Sequence, residues 1–437
     1  MNESARSNEK PCASSTESWA RSSPAAPGTP LYLHIPFCQT LCPYCDFYSV
    51  LGAGRDSAAL VEALLEDARR HAPRAPRSVY LGGGTPTFLP PADLARLLDG
   101  LQELTGFRSS AAEVSAECNP ESLTPETARA LVAGGVTRLS LGLQSLRDDI
   151  LAFLGRPHNR AQALAAYAVA RAAGPRSVGF DLIFAVPGLS QEAWAADLAE
   201  ALALGPDHLS AYALTWEEGT ALNARRGSPG HYPAPDDVEL EQLWATRSLA
   251  ACAGLAPYEV SNFARSGHEC SHNINYWMNG DYIGLGPSAV SHLGARRWGQ
   301  PRDLATWRTQ LAGAPAQLSA TQAAEATEAR RVLGHSESAA APGGAAAAEA
   351  PAPAWEERLA PGARLGESWW LGLRLTRGVD PGALRRSVGL PAAEDHCLPI
   401  ARRLVADGLL EQRSSRLCLT DRGLPLADAV GREFLAP

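Results

Sequence analysis

Apolar residues recur at two alternating spacings between Pro30 and about Gly299. Short runs of apolar residues predict strands, and longer stretches with apolar positions three and four residues apart predict amphipathic helices. The stretch over residues 57–71 is a clear helix of this kind, and Asp56 or Ser57 can cap its start. Its predicted buried face consists of Leu60, Val61, Leu64, Leu65 and Ala68.

About six strand–helix units follow one another in this region. The predicted strands lie in the stretches LYLHI, SVYL, EVSAE, VTRLSLG, SVGFDLIFAV and HLSAYAL. Alternation of this kind is typical of parallel strands covered by helices. At this length a full or partial β/α barrel fits better than an open sheet, and we predict an α/β fold with a partial (β/α)6 barrel. Functional groups in such a barrel collect at the C-terminal ends of the strands.

The composition predicts four segments. Residues 1–27 are rich in Ser, Ala and Pro, and Glu3, Glu9 and Glu17 favour a disordered tail over an organellar transit peptide. Residues 28–300 form the predicted barrel domain with an extension, and 311–354 an Ala/Pro-rich linker or insertion. Residues 355–437 predict a helix, a hairpin and a helix, which resembles a small α+β winged-helix-like module. The module lacks a basic face, so we expect a packing or lid role rather than DNA binding.

Charge and hydropathy exclude several classes of function. The 437 residues carry a net charge of −8 without a long basic run, so we expect no nucleic-acid partner. No stretch approaches the ~18 unbroken apolar residues of a membrane span. We expect no transmembrane segment, and the absence of an export signal predicts a cytoplasmic location. It also argues against a disulfide framework among the nine cysteines.

Three of these cysteines, Cys38, Cys42 and Cys45, fall within eight positions on a loop after the first predicted strand. Structural zinc sites generally use four ligands, and the sequence offers no second pair. Each iron of a [4Fe–4S] cluster is normally tied to one thiolate, so three cysteines leave one iron open to an outside ligand. The spacing therefore predicts a [4Fe–4S] cluster. A zinc site and three unrelated core cysteines are the alternatives.

The Cys-x3-Cys-x2-Cys spacing, with Tyr44 before the last cysteine, resembles the radical S-adenosylmethionine (SAM) superfamily. The resemblance implies that the open iron binds the amino and carboxylate groups of SAM. It also implies that the reduced cluster can pass an electron to the sulfonium, giving methionine and a 5′-deoxyadenosyl radical.

Further polar or glycine-rich signals stand at the ends of successive predicted strands. The glycines of LGGGTP, Leu81–Pro86, let backbone approach a ligand closely and leave N–H groups exposed, although a tight turn would use the same residues. Glu117, Gln144 and Asp181 end or follow later strands, and Arg156 lies in LGRPH. Each alone is as well explained as an ordinary polar residue. Together they predict that these polar groups line one open end of the barrel.

The order of these stretches is similar to that of one branch of the superfamily. This branch comprises the oxygen-independent coproporphyrinogen III oxidases (HemN) and the haem chaperones of HemW type. The resemblance covers about residues 30–300, and more loosely the C-terminal module. It implies contact with SAM at Tyr32, Gly83, Gly84, Thr85, Glu117, Gln144, Arg156 and Asp181.

Two functions remain open, and three features favour the haem chaperone. Phe47 stands where the oxidase motif has a further cysteine, and the chain lacks the oxidase's longer N-terminal region. CSHNINYW, Cys270–Trp277, is similar to the His-Asn-x-x-Tyr-Trp signature of the chaperones. The alternative is the oxidase, which decarboxylates porphyrinogen propionates. We expect that SAM cleavage is open to this chain and that it lacks the oxidase activity.

The same signature predicts the haem ligand. A neutral imidazole is a good axial ligand for haem iron, so His272 is the candidate, with Tyr276 and Trp277 as a flat apolar wall. The alternative is that His272 and Asn273 cap a turn while the two aromatic residues pack in the core. Val290 stands where chaperone-type sequences often have histidine, so this chain either has lost that ligand or uses the nearby His292.

The resemblance also implies partners. These are haem itself, recipient haem proteins and a flavodoxin- or ferredoxin-type reductant. It also allows a homodimer.

Overall fold

The structure is a computed structural model that describes residues 28–313 and 353–435. The predicted tail over residues 1–27 lies outside the described residues, and so does the predicted linker over 311–354 except for its first three and last two residues. No helix of the described chain is long and apolar enough to span a membrane.

The strands are β1 (Leu31–Ile35), β2 (Phe37–Cys38), β3 (Val50–Leu51), β4 (Ser78–Gly83), β5 (Glu113–Cys118), β6 (Arg138–Gln144), β7 (Ser177–Phe184), β8 (His208–Ala213), β9 (Ala256–Pro257), β10 (Asn262–Ala264), β11 (Ile283–Leu285), β12 (Val290–Leu293), β13 (Arg296–Gly299), β14 (Trp355–Arg358), β15 (Leu410–Arg413) and β16 (Arg416–Leu419). The α-helices are α1 (Ser57–His71), α2 (Pro91–Thr105), α3 (Phe107–Ser110), α4 (Pro125–Ala133), α5 (Asp148–Phe153), α6 (Arg160–Ala172), α7 (Gln191–Ala203), α8 (Asp236–Cys252), α9 (Ser271–Trp277), α10 (Leu304–Leu311), α11 (Pro361–Leu373), α12 (Pro381–Ser387), α13 (Cys397–Ala406) and α14 (Ala427–Arg432). Short 3-10 helices cover Pro86–Phe88, Asn223–Arg225, Ala392–Glu394, Leu424–Leu426 and Glu433–Leu435.

A nine-stranded sheet forms the centre of the molecule, in the order β11-β1-β4-β5-β6-β7-β8-β10-β9. The strands from β1 to β8 in this order are parallel to their neighbours, which confirms the predicted partial (β/α)6 barrel. β11 adds a parallel strand beside β1, and β10 pairs antiparallel with β8. The sequence pattern did not predict these two strands because three residues are too few to show a period.

The parallel strands turn apolar side chains outward against the helices and polar ones toward the barrel interior. In β1 the buried Leu31, Leu33 and Ile35 alternate with Tyr32 and His34. The register aligns the interior positions across the sheet. One such row pairs Tyr32 with Tyr80, Tyr80 with Ser115, and Ser115 with Arg138. A barrel lined in this way presents polar groups to whatever enters it.

The outer helices form as the pattern predicts. α1 buries the predicted apolar face, and the Asp56 carboxylate caps its start by accepting the Ala59 N–H at 2.9 Å. Burial of a leucine on such a face contributes about 1.5–3 kcal/mol. Packing against the sheet, rather than helix propensity, therefore supplies most of the stability of these helices.

α9 closes the end of the barrel at which the strands begin. The Glu113 carboxylate accepts the Ser271 N–H at 3.0 Å and the His272 N–H at 3.2 Å, which caps the helix. Arg138 Nε lies 3.4 Å from the same carboxylate. We call α9 together with the strand starts Ser78, Glu113 and Arg138 the barrel floor. The barrel floor lies at the end of the barrel opposite to the C-terminal ends of the strands.

The C-terminal module has its own small core around α11. Trp369 stacks on Phe434 with ring centres 4.7 Å apart, and both side chains are fully buried. The predicted helix, hairpin and helix are α13, β15–β16 and α14, so the α+β module is confirmed. A sheet in the order β12-β13-β14 joins the barrel extension to the start of this module.

Candidate cluster and cofactor site

The three clustered cysteines lie on one loop at the C-terminal end of β1. Cys38 ends β2, and the Cys45 N–H donates to the Cys42 carbonyl at 3.1 Å, which makes a tight turn. All three thiols are free and partly exposed. Burial raises the pKa of the Cys45 thiol to about 11, so iron binding at this loop releases protons.

The donor set of this loop fits a [4Fe–4S] cluster. Within residues 28–313 and 353–435, no three His, Cys, Asp or Glu side chains are grouped as they would be around one metal ion. A [4Fe–4S] cluster does not need such convergence, because each thiolate binds a different iron. The loop therefore offers one thiolate to each of three irons, as the predicted [4Fe–4S] cluster requires.

The glycine segment packs directly on the cysteine loop. Gly83 has φ of +105°, and a Cβ on Gly84 would lie 2.7 Å from the Pro36 carbonyl carbon, so both positions need glycine. Thr85 Oγ1 donates to Cys38 Sγ at 3.4 Å. The prediction of exposed N–H groups in this segment was wrong. The Gly83 N–H donates to the Glu117 carboxylate. The N–H groups of Gly84 and Thr85 donate to the carbonyls of Ile35 and Phe37.

Arg156 connects the cysteine loop with the strand ends. Its side chain is 5% exposed. One end donates to Cys42 Sγ at 3.3 Å, and the other donates to Asn119 Oδ1 at 2.7 Å and to the Gly142 carbonyl at 3.1 Å. Burial alone would lower the pKa of the guanidinium, but Tyr44, Cys42 and Glu121 raise it above its usual value. A permanent positive charge therefore lies beside the cluster thiols.

Glu117 and Asp181 place two carboxyl groups inside the barrel. Tyr80 Oη donates to Glu117 Oε1 at 2.8 Å, and the Gly83 N–H donates to Oε2 at 3.1 Å. Ser140 Oγ donates to Asp181 at 3.3 Å. Burial raises the pKa of Glu117 to about 7, with a further contribution from Asp181. Burial also raises the pKa of Asp181 to about 6, so this interior holds protons that solvent-exposed carboxyls would lose.

Gln144 and Tyr32 complete the predicted set. Gln144 ends β6 at a bulge, with φ of +65°, a strained conformation for a residue with a side chain. A Cβ on Gly142 would lie 2.8 Å from Gln144 Nε2, so this amide lies over the strand end. Tyr32 Oη lies 3.1 Å from His34 Nδ1, and its ring lies 6.2 Å from that of Tyr80.

The structure thus connects Gly83, Thr85, Glu117 and Arg156 with the cysteine loop at one end of the barrel. Gln144 ends β6, and Tyr32 and Asp181 lie inside the barrel. Contact with SAM itself stays a prediction for each of them. The bonds just described connect the strand ends of β4, β5 and β6 to the loop, as the barrel geometry requires.

His272 lies elsewhere, in the barrel floor. It is fully buried, with Nδ1 2.9 Å from Ser78 Oγ and Nε2 3.0 Å from Tyr276 Oη. Burial lowers the pKa of the imidazole to about 4, so it is neutral. Both ring nitrogens are occupied by protein groups, which is the geometry of a packed, structural histidine. His292 is also buried, and its Nε2 lies 3.0 Å from the Gly294 carbonyl.

The sequence interpretation missed residues that position this site. Asn119 bridges Thr85 and Arg156, with its Nδ2 donating to Thr85 Oγ1 at 2.8 Å. Tyr80 holds Glu117 through its hydroxyl. A signal for both was present, because Asn119 follows the β5 end directly and Tyr80 occupies an interior position of β4. The pair of Glu121 and His158, 3.4 Å apart beside Arg156, had no such signal.

Two family models match the chain. The model of the radical SAM superfamily matches residues 32–201, and that of the HemN C-terminal domain matches residues 359–426.

Curated relatives match over longer stretches. Heme chaperone HemW of Mycobacterium tuberculosis is 38% identical over 420 residues, which cover 94% of this chain and 96% of that protein. Heme chaperone HemW of Escherichia coli is 36% identical over 60% of this chain and 70% of its own. Radical S-adenosyl methionine domain-containing protein 1, mitochondrial, of Mus musculus is 39% identical over 59% of each chain.

A solved structure, coproporphyrinogen III oxidase (HemN) from Escherichia coli, described as a radical SAM enzyme, superposes with a TM-score of 0.74 at 22% identity. The match covers 94% of this chain and 91% of the other. At this identity it demonstrates a shared fold.

Proposed function

This chain belongs to the HemW family of radical SAM proteins, and from that membership we propose that it binds haem and delivers it to haem proteins. The observation that carries the proposal is the similarity along nearly the whole chain to a relative named as a haem chaperone. Phe47, at the position where the oxidase motif has a further cysteine, supports the same choice. The shared fold does not decide between the two functions, because one fold can carry both.

Cys38, Cys42 and Cys45 would hold a [4Fe–4S] cluster, which supplies an iron open to SAM and an electron for its cleavage. The protein's own contribution is electrostatic. Arg156 donates to Cys42 Sγ and Thr85 donates to Cys38 Sγ, and these hydrogen bonds orient the two sulfurs that would bind iron.

The strand ends would hold SAM. Ionised Glu117 can accept hydrogen bonds from ribose hydroxyls, while Tyr80 and Gly83 keep its carboxylate in place. Gln144, Asp181, Tyr32 and the glycine segment would supply further contacts to SAM. The positive charge of Arg156 beside this mouth suits a carboxylate.

Haem ligation by His272 stays a prediction with a stated structural cost. Iron would have to displace the hydroxyl of Tyr276 or of Ser78 from the imidazole, and the barrel floor would have to open. The neutral imidazole is the correct protonation state for a ligand.

Recipient haem proteins, a flavodoxin- or ferredoxin-type reductant, a homodimer and a cytoplasmic location are further parts of this proposal. They follow from the family and from the oxygen sensitivity expected of the cluster.

The test uses full-length protein reconstituted with iron and sulfide under anaerobic conditions. Haem is titrated in, its visible spectrum is followed, and an apo-haem protein is then added to measure transfer. We expect saturable haem binding and transfer. In parallel, the reduced protein is given SAM and coproporphyrinogen III, and the porphyrins are separated by chromatography.

Formation of the divinyl product would identify the oxidase and reject the chaperone proposal. The Cys42→Ala variant separates the cluster from haem binding, and Cys252→Ala, an exposed cysteine outside the loop, is its matched control. We expect Cys42→Ala to lose iron and sulfide and Cys252→Ala to keep both.

A further inference from the structure

Gln144 adopts a strained backbone conformation at the point where β6 ends. Its φ is +65°, and the Ser145 N–H donates to the Leu143 carbonyl at 2.8 Å, so these three residues form a γ-turn. A positive φ is unfavourable for a residue with a side chain, and a γ-turn with this sign of φ is rare. Such a conformation persists only where surrounding groups hold it, and residues held in this way cluster at functional sites.

Asp197 holds this turn from the side that follows Gln144. It lies on α7 and is 4% exposed. Its carboxylate accepts the Ser145 hydroxyl at 2.5 Å and the Leu146 N–H at 2.8 Å. Hydrogen bonds to a charged acceptor are short and strong, so one buried carboxylate fixes the two residues that leave the turn.

His158 holds the turn from the side that precedes Gln144. It is buried in the loop before α6, with Nε2 3.1 Å from the Leu143 carbonyl. A carbonyl oxygen can only accept, so Nε2 carries a proton and donates it. The Leu143 carbonyl thus accepts two hydrogen bonds, one from His158 and one from the Ser145 N–H. The imidazole therefore fixes the residue that enters the turn.

Glu121 lies behind His158 and connects it with Arg156. Its Oε2 lies 3.4 Å from His158 Nδ1 and 3.8 Å from Arg156 Nη2. Burial pushes the pKa of Glu121 upward, but the contact with His158 and the charge of Arg156 hold it below its usual value. The carboxylate is therefore ionised, and it faces both the imidazole that holds the turn and the guanidinium that donates to Cys42.

We propose that His158, oriented by Glu121, and Asp197 are positioning residues that keep the Gln144 amide oriented for SAM. The inference rests on the proposed function, because it requires SAM at the strand ends. The two residues act through the turn, since the groups that they bind are the backbone of Leu143 and Leu146 and the hydroxyl of Ser145. The strain at Gln144 is then accepted when the protein folds, so SAM meets an amide that is already ordered.

The test measures the SAM affinity of cluster-loaded, full-length protein by calorimetric titration. His158→Leu removes the donor to the Leu143 carbonyl, and His158→Gln restores an N–H donor at a similar reach. His208→Leu is the matched control, because His208 is also a buried histidine, with Nε2 2.8 Å from a tyrosine hydroxyl, but lies at the start of β8. Gln144→Ala is combined with His158→Leu in a double-mutant cycle.

Hydrogen exchange of the same proteins, measured on peptic fragments without SAM, gives a second readout. We expect His158→Leu to speed the exchange of residues 143–147, because the turn loses the bond that fixes its entry. His208→Leu should leave the exchange of this segment at the wild-type rate.

We expect His158→Leu to weaken SAM binding about tenfold, because the amide must then be ordered when SAM binds. His158→Gln should recover most of the affinity, and His208→Leu should match the wild type. Gln144→Ala should weaken binding to the same extent with and without His158→Leu, since the histidine acts through that amide.

Additive losses in the cycle overturn the proposal, and so does an unchanged SAM affinity in His158→Leu or an equal loss in His208→Leu. If His158→Leu does not fold, Asp197→Asn takes its place in the cycle with Gln144→Ala, and the same outcomes decide. A wild type that binds no SAM also overturns the proposal. A wild type that binds SAM but no haem would instead reject the proposed function and leave this result standing.

Discussion

Two carboxyl groups decide the electrostatics of the barrel interior. Burial raises the cost of ionising both Glu117 and Asp181, and Asp181 raises the cost of ionising Glu117 further. Tyr80 and Gly83 reduce this cost at Glu117 by donating to its oxygens, but the pKa still rises to about 7. The protonation state of this site therefore changes near neutral pH.

We predict that Glu117→Gln weakens SAM binding about tenfold above pH 7, because a charged acceptor becomes a neutral one. In the wild type, SAM affinity should rise as pH increases through about 7, as the carboxyl loses its proton. In the variant this dependence should be reduced. Calorimetric titration of cluster-loaded protein at several pH values measures both effects.

Glu103→Gln, on the exposed side of α2, is the control for this titration. Equal SAM affinity in wild type and Glu117→Gln at all pH values would contradict the assignment.

The same shift has a signed effect on stability without SAM. The folded protein holds the Glu117 proton more tightly than the unfolded chain does, so unfolding free energy falls as pH rises from about 4.5 to about 7. At about 1.4 kcal/mol per pKa unit the upper bound is roughly 3 kcal/mol. Glu117→Gln should lose this part of the pH dependence, which thermal unfolding across that range can show.

At the scale of elements, local pattern predicted most of the barrel and little of its floor. α1 spans the same residues as its predicted pattern, because its apolar face and the Asp56 cap are both local. The position of α9 depends on bonds such as that from Ser271 to Glu113, which are 158 residues apart. No periodicity contains that information. A histidine in a family motif could therefore be named from sequence, but its burial could not.

The hydrogen bonds of His272 allow a prediction that separates its two roles. As a haem ligand through Nε2, His272 would gain access to iron in Tyr276→Phe, because that substitution removes the hydroxyl that occupies this nitrogen. His272→Ala would then lose haem affinity and alter the haem spectrum, while Tyr276→Phe would keep or strengthen binding.

As a structural residue, His272 would act on stability alone. Both variants would then lower the free energy of unfolding, by about 1–3 kcal/mol for a lost buried hydrogen-bond partner, and leave the haem titration unchanged. Haem titration and chemical denaturation on the same samples distinguish the outcomes. His396→Ala, at an exposed position of the C-terminal module, controls for nonspecific haem binding by histidine. The family motif favours the first outcome and the geometry favours the second.

At the scale of the whole molecule, the described chain contains two hydrophobic cores. The larger lies between the sheet and the outer helices, and the smaller surrounds Trp369 in the C-terminal module. Between them, Arg297 donates to Glu367 at 3.0 Å, and β13 pairs with β14. The residues proposed to bind the cluster and SAM all belong to the barrel, which contains the larger core. Damage to the smaller core should therefore leave the cluster in place.

Trp369→Ala and Trp307→Ala test this division as a matched pair, since each removes a tryptophan that is at most 1% exposed from one of the cores. Loss of such a side chain costs about 3–5 kcal/mol. We expect Trp369→Ala to increase amide hydrogen exchange in residues 361–435 while β4 to β8 stay protected and iron content stays at the wild-type level. The Trp307 side chain packs against the barrel, so Trp307→Ala should instead increase amide exchange in α1 and reduce iron content. Mass spectrometry of peptic fragments and iron analysis provide the two measurements.

If Trp369→Ala deprotected the barrel strands as strongly as its own module, the two cores would unfold as one cooperative unit. The C-terminal module would then support the cluster site rather than only pack beside it.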